Sequence, residues 1–170
     1  MHELMEKISD YHIFNYIIPG ACFIILLPLL TNCHYTTPTD NLFLQLCLCY
    51  TVGLIISRIG SFSFNITIIK KKRKQNQNNF APYPQFIDAT QKDPKISVLN
   101  SIANMYRSFS VLWFICALLK FIRIFSDGHQ HLSFCVLFLS LSILFICSYK
   151  KQTAFVVKRI QKQQNSKRKI

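Results

Sequence analysis

Blocks of apolar sequence long enough to cross a bilayer, separated by blocks of positive charge, constrain this chain more than anything else in it. Leu42 to Ser57 carries no formal charge, and the same segment then closes on Lys70, Lys71, Lys72, Arg73 and Lys74. Five consecutive cations do not follow the chain into hydrocarbon, so the segment reads as a membrane span ended by a cytoplasmic anchor. The chain is 51% hydrophobic with a formal net charge of +13, and a soluble domain would intersperse these two properties. Here they are segregated.

A bilayer helix needs roughly 17–25 mostly apolar residues. Four windows meet that need, at about 13–30, 42–60, 109–125 and 132–149. The expected architecture is all-α: a polytopic membrane protein with four transmembrane helices arranged as two antiparallel hairpins. A cytoplasmic loop over 61–108 and a basic tail over 150–170 complete it. Little chain is left for an independent soluble domain. Met1 to Tyr11 holds Glu3, Glu6 and Asp10 against Lys7, which is the wrong charge for the start of a cleaved signal peptide.

Orientation follows the Lys and Arg bias of short loops. Every such residue outside the spans lies in the N-terminus, the central loop or the tail, and the two remaining loops hold none. Both termini and the central loop are therefore expected in the cytoplasm, with the protein in the inner membrane. The Asn65-Ile66-Thr67 sequon would then face the cytoplasm and carry no glycan.

Within the spans, Gly53, Ser57 and Ser61 recur at intervals of four and share one helical face. Small residues at that spacing let two helix backbones approach closely, the main source of association in lipid. The spacing does not say whether the facing helix belongs to the same chain. Pro19-Gly20 and Pro28 perturb the first span, Pro19-Gly20 either as a hinge or as a kink that admits a neighbouring helix. Of three embedded cations, Arg58 either snorkels to the inner interface or faces the bundle and binds a carbonyl, a lipid phosphate or a permeating anion, while Lys120 and Arg123 either snorkel or form a cationic ring in an oligomeric pore.

Between the second and third spans, Asp93-Pro94 is a helix start, with Asp93 as N-cap and proline in the first turn. Ile96, Leu99, Ile102, Met105 and Tyr106 then recur at helical spacing with no Gly or Pro before the third span. This predicts a helical extension below the membrane, continuous with that span, its apolar stripe covered by the chain itself or by another subunit, or else by a partner protein. In the tail, Phe155, Val156 and Ile160 stand among Lys150, Lys151, Lys158 and Arg159, a pattern that predicts a helix lying in the membrane interface. Lys70 to Lys74, Lys150, Lys151, Lys158 and Arg159 are the expected contacts to anionic headgroups or to a partner.

Catalysis needs a nucleophile with a base, or a metal with an open position. Neither can be assembled, so no catalytic residue, cofactor or metal is expected and the chain is not read as an enzyme. Cys33, His34, His129 and His131 are brought to one side by the topology, but adjacent ligands lack zinc-motif spacing. The seven cysteines form no C-x-x-C pair and read as packing residues. A basic surface near Phe80, Tyr83 and Tyr106 would suit nucleic acid, yet no nucleic-acid motif accompanies it.

The run ISRIGS at Ile56 to Ser61, with FIDA from Phe86, KDPKI from Lys92 and NMYR from Asn104, resembles a set of small four-span bacterial membrane proteins. Some of these belong to anti-phage defence loci and are similar in outline to the membrane subunit of the Kiwa system. That resemblance implies an oligomeric membrane sensor or effector with a cytoplasmic protein partner, and it carries no functional residue across. The expected role is thus a self-associating membrane interaction or effector protein displaying a basic cytoplasmic surface. The alternative is a small homo-oligomeric channel that prefers anions.

Overall fold

The computed structural model describes residues 12–31, 41–72, 83–127 and 132–167, and all of its regular structure is helical. A π-helical turn over Ile13–Ile17 runs directly into α1 (Ile18–Thr31). Then follow α2 (Leu42–Lys72), the short α3 (Tyr83–Lys92), α4 (Lys95–Asp127) and α5 (Leu132–Lys167).

The π turn has a local cause. Pro19 has no N–H to give the carbonyl four residues back, and its ring crowds that carbonyl. The backbone widens by one residue just before it, and the N–H of Ile18 bonds the Ile13 carbonyl instead. Pro28 lies inside α1 near its end at Thr31, where the Thr31 hydroxyl donates to the Leu27 carbonyl at 2.8 Å.

Three helical stretches are long and apolar enough to cross a membrane: Leu42–Ser63, Lys95–Ile124 and Leu132–Gln163. The first apolar segment forms only the shorter apolar helix Asn15–Thr31. At ~1.5 Å per residue it reaches about 25 Å, a little under the ~30 Å of hydrocarbon. Such lengths and the exposed apolar side chains around the bundle, among them Ile25 at 75% and Phe43 at 70%, suit a membrane better than water.

Helix starts are set by side chains. Asn41 Oδ1 accepts the Phe43 N–H at 3.0 Å and opens α2. Asp93 Oδ1 accepts the Lys95 N–H at 3.1 Å, and the Asp93 carbonyl accepts the Ile96 N–H at 3.0 Å, opening α4 at the expected place. From there α4 runs as one helix of 33 residues, extension and apolar stretch together.

The tail differs from expectation. It is no separate interfacial helix but the end of α5, which runs unbroken for 36 residues because neither Gly nor Pro interrupts it. Its apolar residues turn inward: Val156 and Ile160 are buried with Ile96 of α4 and Ala89 of α3, with Phe86 and Leu99 packed against them. Phe155 stays half exposed at 53%.

The main core sits in the apolar part of the bundle, with Leu30, Ile56, Val111, Leu112, Cys116, Ala117 and Phe138 at its centre. Along α4 and α5 the contacts run in opposite order. Phe109 stacks on Phe145 at 5.3 Å, Trp113 on Phe138 at 5.7 Å, and Cys135 lies against the Ala117 carbonyl at 3.6 Å. The Ser142 hydroxyl donates to the Ser110 carbonyl at 2.9 Å, and Gln152 Nε2 donates to the Leu99 carbonyl at 3.4 Å, so these two helices are antiparallel neighbours from bundle to stem.

Candidate functional site

The most built feature of the bundle is a pair of cations from α4 that closes the end of α1. Lys120 is only 2% exposed, and its ammonium donates to the Leu29 carbonyl at 2.6 Å. The same Nζ stands 5.4 Å from the centroid of the Phe134 ring of α5. One helical turn on, Arg123 donates through Nη2 to the Thr31 carbonyl. Leu29 and Thr31 belong to the last turn of α1, whose carbonyls have no partner in their own helix. They also form the negative end of its dipole, which cations favour. The sequence offered snorkelling or a pore ring for these two residues. Both instead turn into the fold and tie the short α1 to α4.

The small residues have equally definite places. A Cβ on Gly53 would fall 1.7 Å from the Tyr16 carbonyl oxygen, and a Cβ on Gly20 would fall 1.8 Å from the Cys49 carbonyl oxygen. Backbone meets backbone here, so Gly53 of α2 faces the first helix of the same chain. Ser57 is buried at 6% and Ser61 is partly buried. Beside this crossing, His12, Tyr16 and Tyr50 form an aromatic cluster, with the Tyr50 hydroxyl 3.4 Å from His12 Nδ1 and ring centroids 5.5–6.0 Å apart.

Arg58 is exposed on α2, in contrast to Lys120. Of the tail cations, Lys150, Lys151 and Lys158 are exposed, whereas Arg159 pairs through Nε with Asp93 Oδ2 at 2.5 Å. That hydrogen bond, chiefly, holds the Asp93 carboxyl below the usual carboxylate range. Arg159 therefore clasps the end of α5 to the α3–α4 corner and does not stand free beside the three lysines. Lys70, Lys71 and Lys72 lie in the last turn of α2, while Arg73 and Lys74 fall outside the described residues. Cys33, His34, His129 and His131 also fall outside them, and no group of three or more metal-ligand side chains occurs among the described residues.

Sequence reasoning singled out Pro19-Gly20 as a hinge or a kink that admits a neighbouring helix, and the close approach of Gly20 to the Cys49 backbone of α2 matches the second reading. It assigned no contact to Gly60, Asn15 or Arg107. Asn15 is buried at 1% inside the π turn, which periodicity does not reveal. Gly60 lies against Arg107 and Val111 of α4, and nothing local in either sequence announces that contact.

No protein-family model, no curated protein and no solved structure matches this chain.

Proposed function

We propose that the chain is a four-span inner-membrane protein, both termini cytoplasmic, whose bundle carries a basic helical stem that binds a cytoplasmic protein partner. One observation supports this above the rest. α4 and α5 continue as a packed pair beyond the apolar windows at 109–125 and 132–149, and there α3 completes a second core of Ala89, Ile96, Val156 and Ile160. A stem with its own core and an Asp93–Arg159 clasp is a shaped surface, unlike a basic tail that serves only to set topology. Lys150, Lys151 and Lys158 project from it, suited to an acidic partner.

In this proposal α1 is the fourth span, made competent by Lys120 and Arg123, which satisfy carbonyls that would otherwise be costly in lipid. Gly53 is covered by Tyr16 of the same chain, so a homo-oligomer would form through the exposed faces of α2 or α5. No catalytic step is assigned.

A photocrosslinking residue at Ala154, on the exposed side of the stem, tests the proposal in cells. The expected product is a discrete adduct with a second protein, lost when Lys150, Lys151 and Lys158 are changed together to glutamate. Adducts with lipid or with this chain alone would contradict it.

A further inference from the structure

Arg107 lies two residues before the apolar window at 109–125, on the stem side of α4, facing α2 at Gly60. A Cβ on Gly60 would lie 3.5 Å from Arg107 Cγ and 3.7 Å from Arg107 Nε, so the guanidinium is laid along a notch that the glycine leaves in α2. Its Nε is buried and donates to nothing, and the guanidinium has no hydrogen bond or ion pair among the described residues. A buried charged donor without an acceptor is costly, which makes the missing partner a question of chemistry.

The described chain offers no acid for it. Asp93 is held by Arg159, and Asp88 has another partner. Position then narrows the choice. Gly60 lies near the Ser63 end of the spanning stretch Leu42–Ser63, with the cations beginning at Lys70 further along. A helical side chain leans toward the N-terminus of its own helix. In α4 that direction leads out of the apolar stretch toward the stem.

We propose that Arg107, in the α2–α4 groove at Gly60, binds the phosphate of an inner-leaflet anionic phospholipid. The acyl chains lie along the exposed apolar faces beside the groove, and the guanidinium supplies the charge-assisted hydrogen bonds. This is distinct from diffuse attraction of headgroups to the lysines of α2 and α5, because one donor in one notch selects one lipid. It rests on the span assignment made above.

The test is native mass spectrometry of the full chain released from dodecylmaltoside, with added phosphatidylglycerol, diacylglycerol of the same tails, or inorganic phosphate. Wild type is expected to retain one phosphatidylglycerol and no diacylglycerol. Arg107→Gln should weaken that retention about tenfold or more, while Arg58→Gln keeps it. Gly60→Met, which fills the notch but leaves the charge, should also lower it, and circular dichroism of each variant identifies any that fails to fold. Equal retention by wild type and a folded Arg107→Gln protein overturns the proposal. Displacement of the lipid by millimolar inorganic phosphate overturns the lipid as source. Retention that appears only after Glu3, Glu6 and Asp10 are neutralised overturns it too, since the chain's own acids would then be the partner. Failure of the span assignment would show in reporter positions and not in lipid retention.

Discussion

Replacing glycine by alanine at two points of α2 should move stability in opposite directions. At Gly53 the new methyl would lie 1.7 Å from the Tyr16 carbonyl oxygen, and ordinary contact needs about twice that, so α1 and α2 must separate by roughly 1.5 Å. Neither atom belongs to a flexible side chain. Overpacking a tight site costs about 1–3 kcal/mol, and rigid backbone on both sides puts Gly53→Ala near the top of that range. Alanine returns about 1 kcal/mol of helix propensity, leaving a net loss of about 2 kcal/mol. At Gly60 the nearest atom is Val111 Cγ2 at 3.4 Å, so Gly60→Ala keeps the propensity gain and should be neutral or stabilising by up to about 1 kcal/mol. Gly20→Ala strikes the same crossing from the α1 side, at 1.8 Å from the Cys49 carbonyl oxygen. Because either methyl alone parts the helices, the Gly20→Ala/Gly53→Ala double variant should lose less than the sum of the singles. Unfolding by SDS in mixed micelles, followed by circular dichroism, reads all four variants. A neutral or stabilised Gly53→Ala protein, or strict additivity in the double variant, would refute the close crossing.

Lys120→Met leaves the Leu29 carbonyl unpaired, at a cost of about 1–3 kcal/mol partly offset by losing a buried charge. Amide exchange should quicken in the last turn of α1, and unchanged protection there would contradict the cap. Since the folded-state pKa of Asp93 is depressed, its contribution to stability is fully present above the ordinary carboxylate pKa and fades as pH falls through the folded value. Fluorescence of a probe at Ala154 should report loosening of the stem on acidification below the ordinary carboxylate range, an effect absent in Arg159→Gln. Identical pH profiles for the two proteins would remove the clasp. Arg58→Gln alters an exposed residue and should change stability by less than about 0.5 kcal/mol, measured in the same micelles.

Much of the scaffold was legible because it depends on local rules. Asp93-Pro94 opens α4 where the capping pattern put it, and the absence of Gly and Pro carried that helix straight through to Asp127. The same absence held from Leu132 to Lys167, yet the basic character of the tail suggested a separate element. Amphipathic periodicity shows that Val156 and Ile160 share a face, and says nothing about whether lipid or Ile96 covers it. The first apolar window stays helical through both Pro19 and Pro28, yet its apolar helix runs only over Asn15–Thr31, shorter than the three spanning stretches. Lys120, Arg123 and Arg107 were visible as charges, but their partners are Leu29, Thr31 and the Gly60 notch, each on another helix. Which helix end arrives beside a given side chain is decided by packing among elements far apart in sequence, beyond the reach of a local pattern.

The most direct test of a four-span bundle with a cytoplasmic stem is a set of sandwich reporters in the intact chain. Alkaline phosphatase, active only outside the inner membrane, and a fluorescent protein that matures only inside it would be placed at Thr36, Gln77, Gly128 and after Ile170. Phosphatase activity at Thr36 and Gly128, with fluorescence at Gln77 and Ile170, is the predicted outcome. Fluorescence at Thr36 would mean that α1 does not cross, and phosphatase activity after Ile170 would put the stem on the wrong side of the membrane.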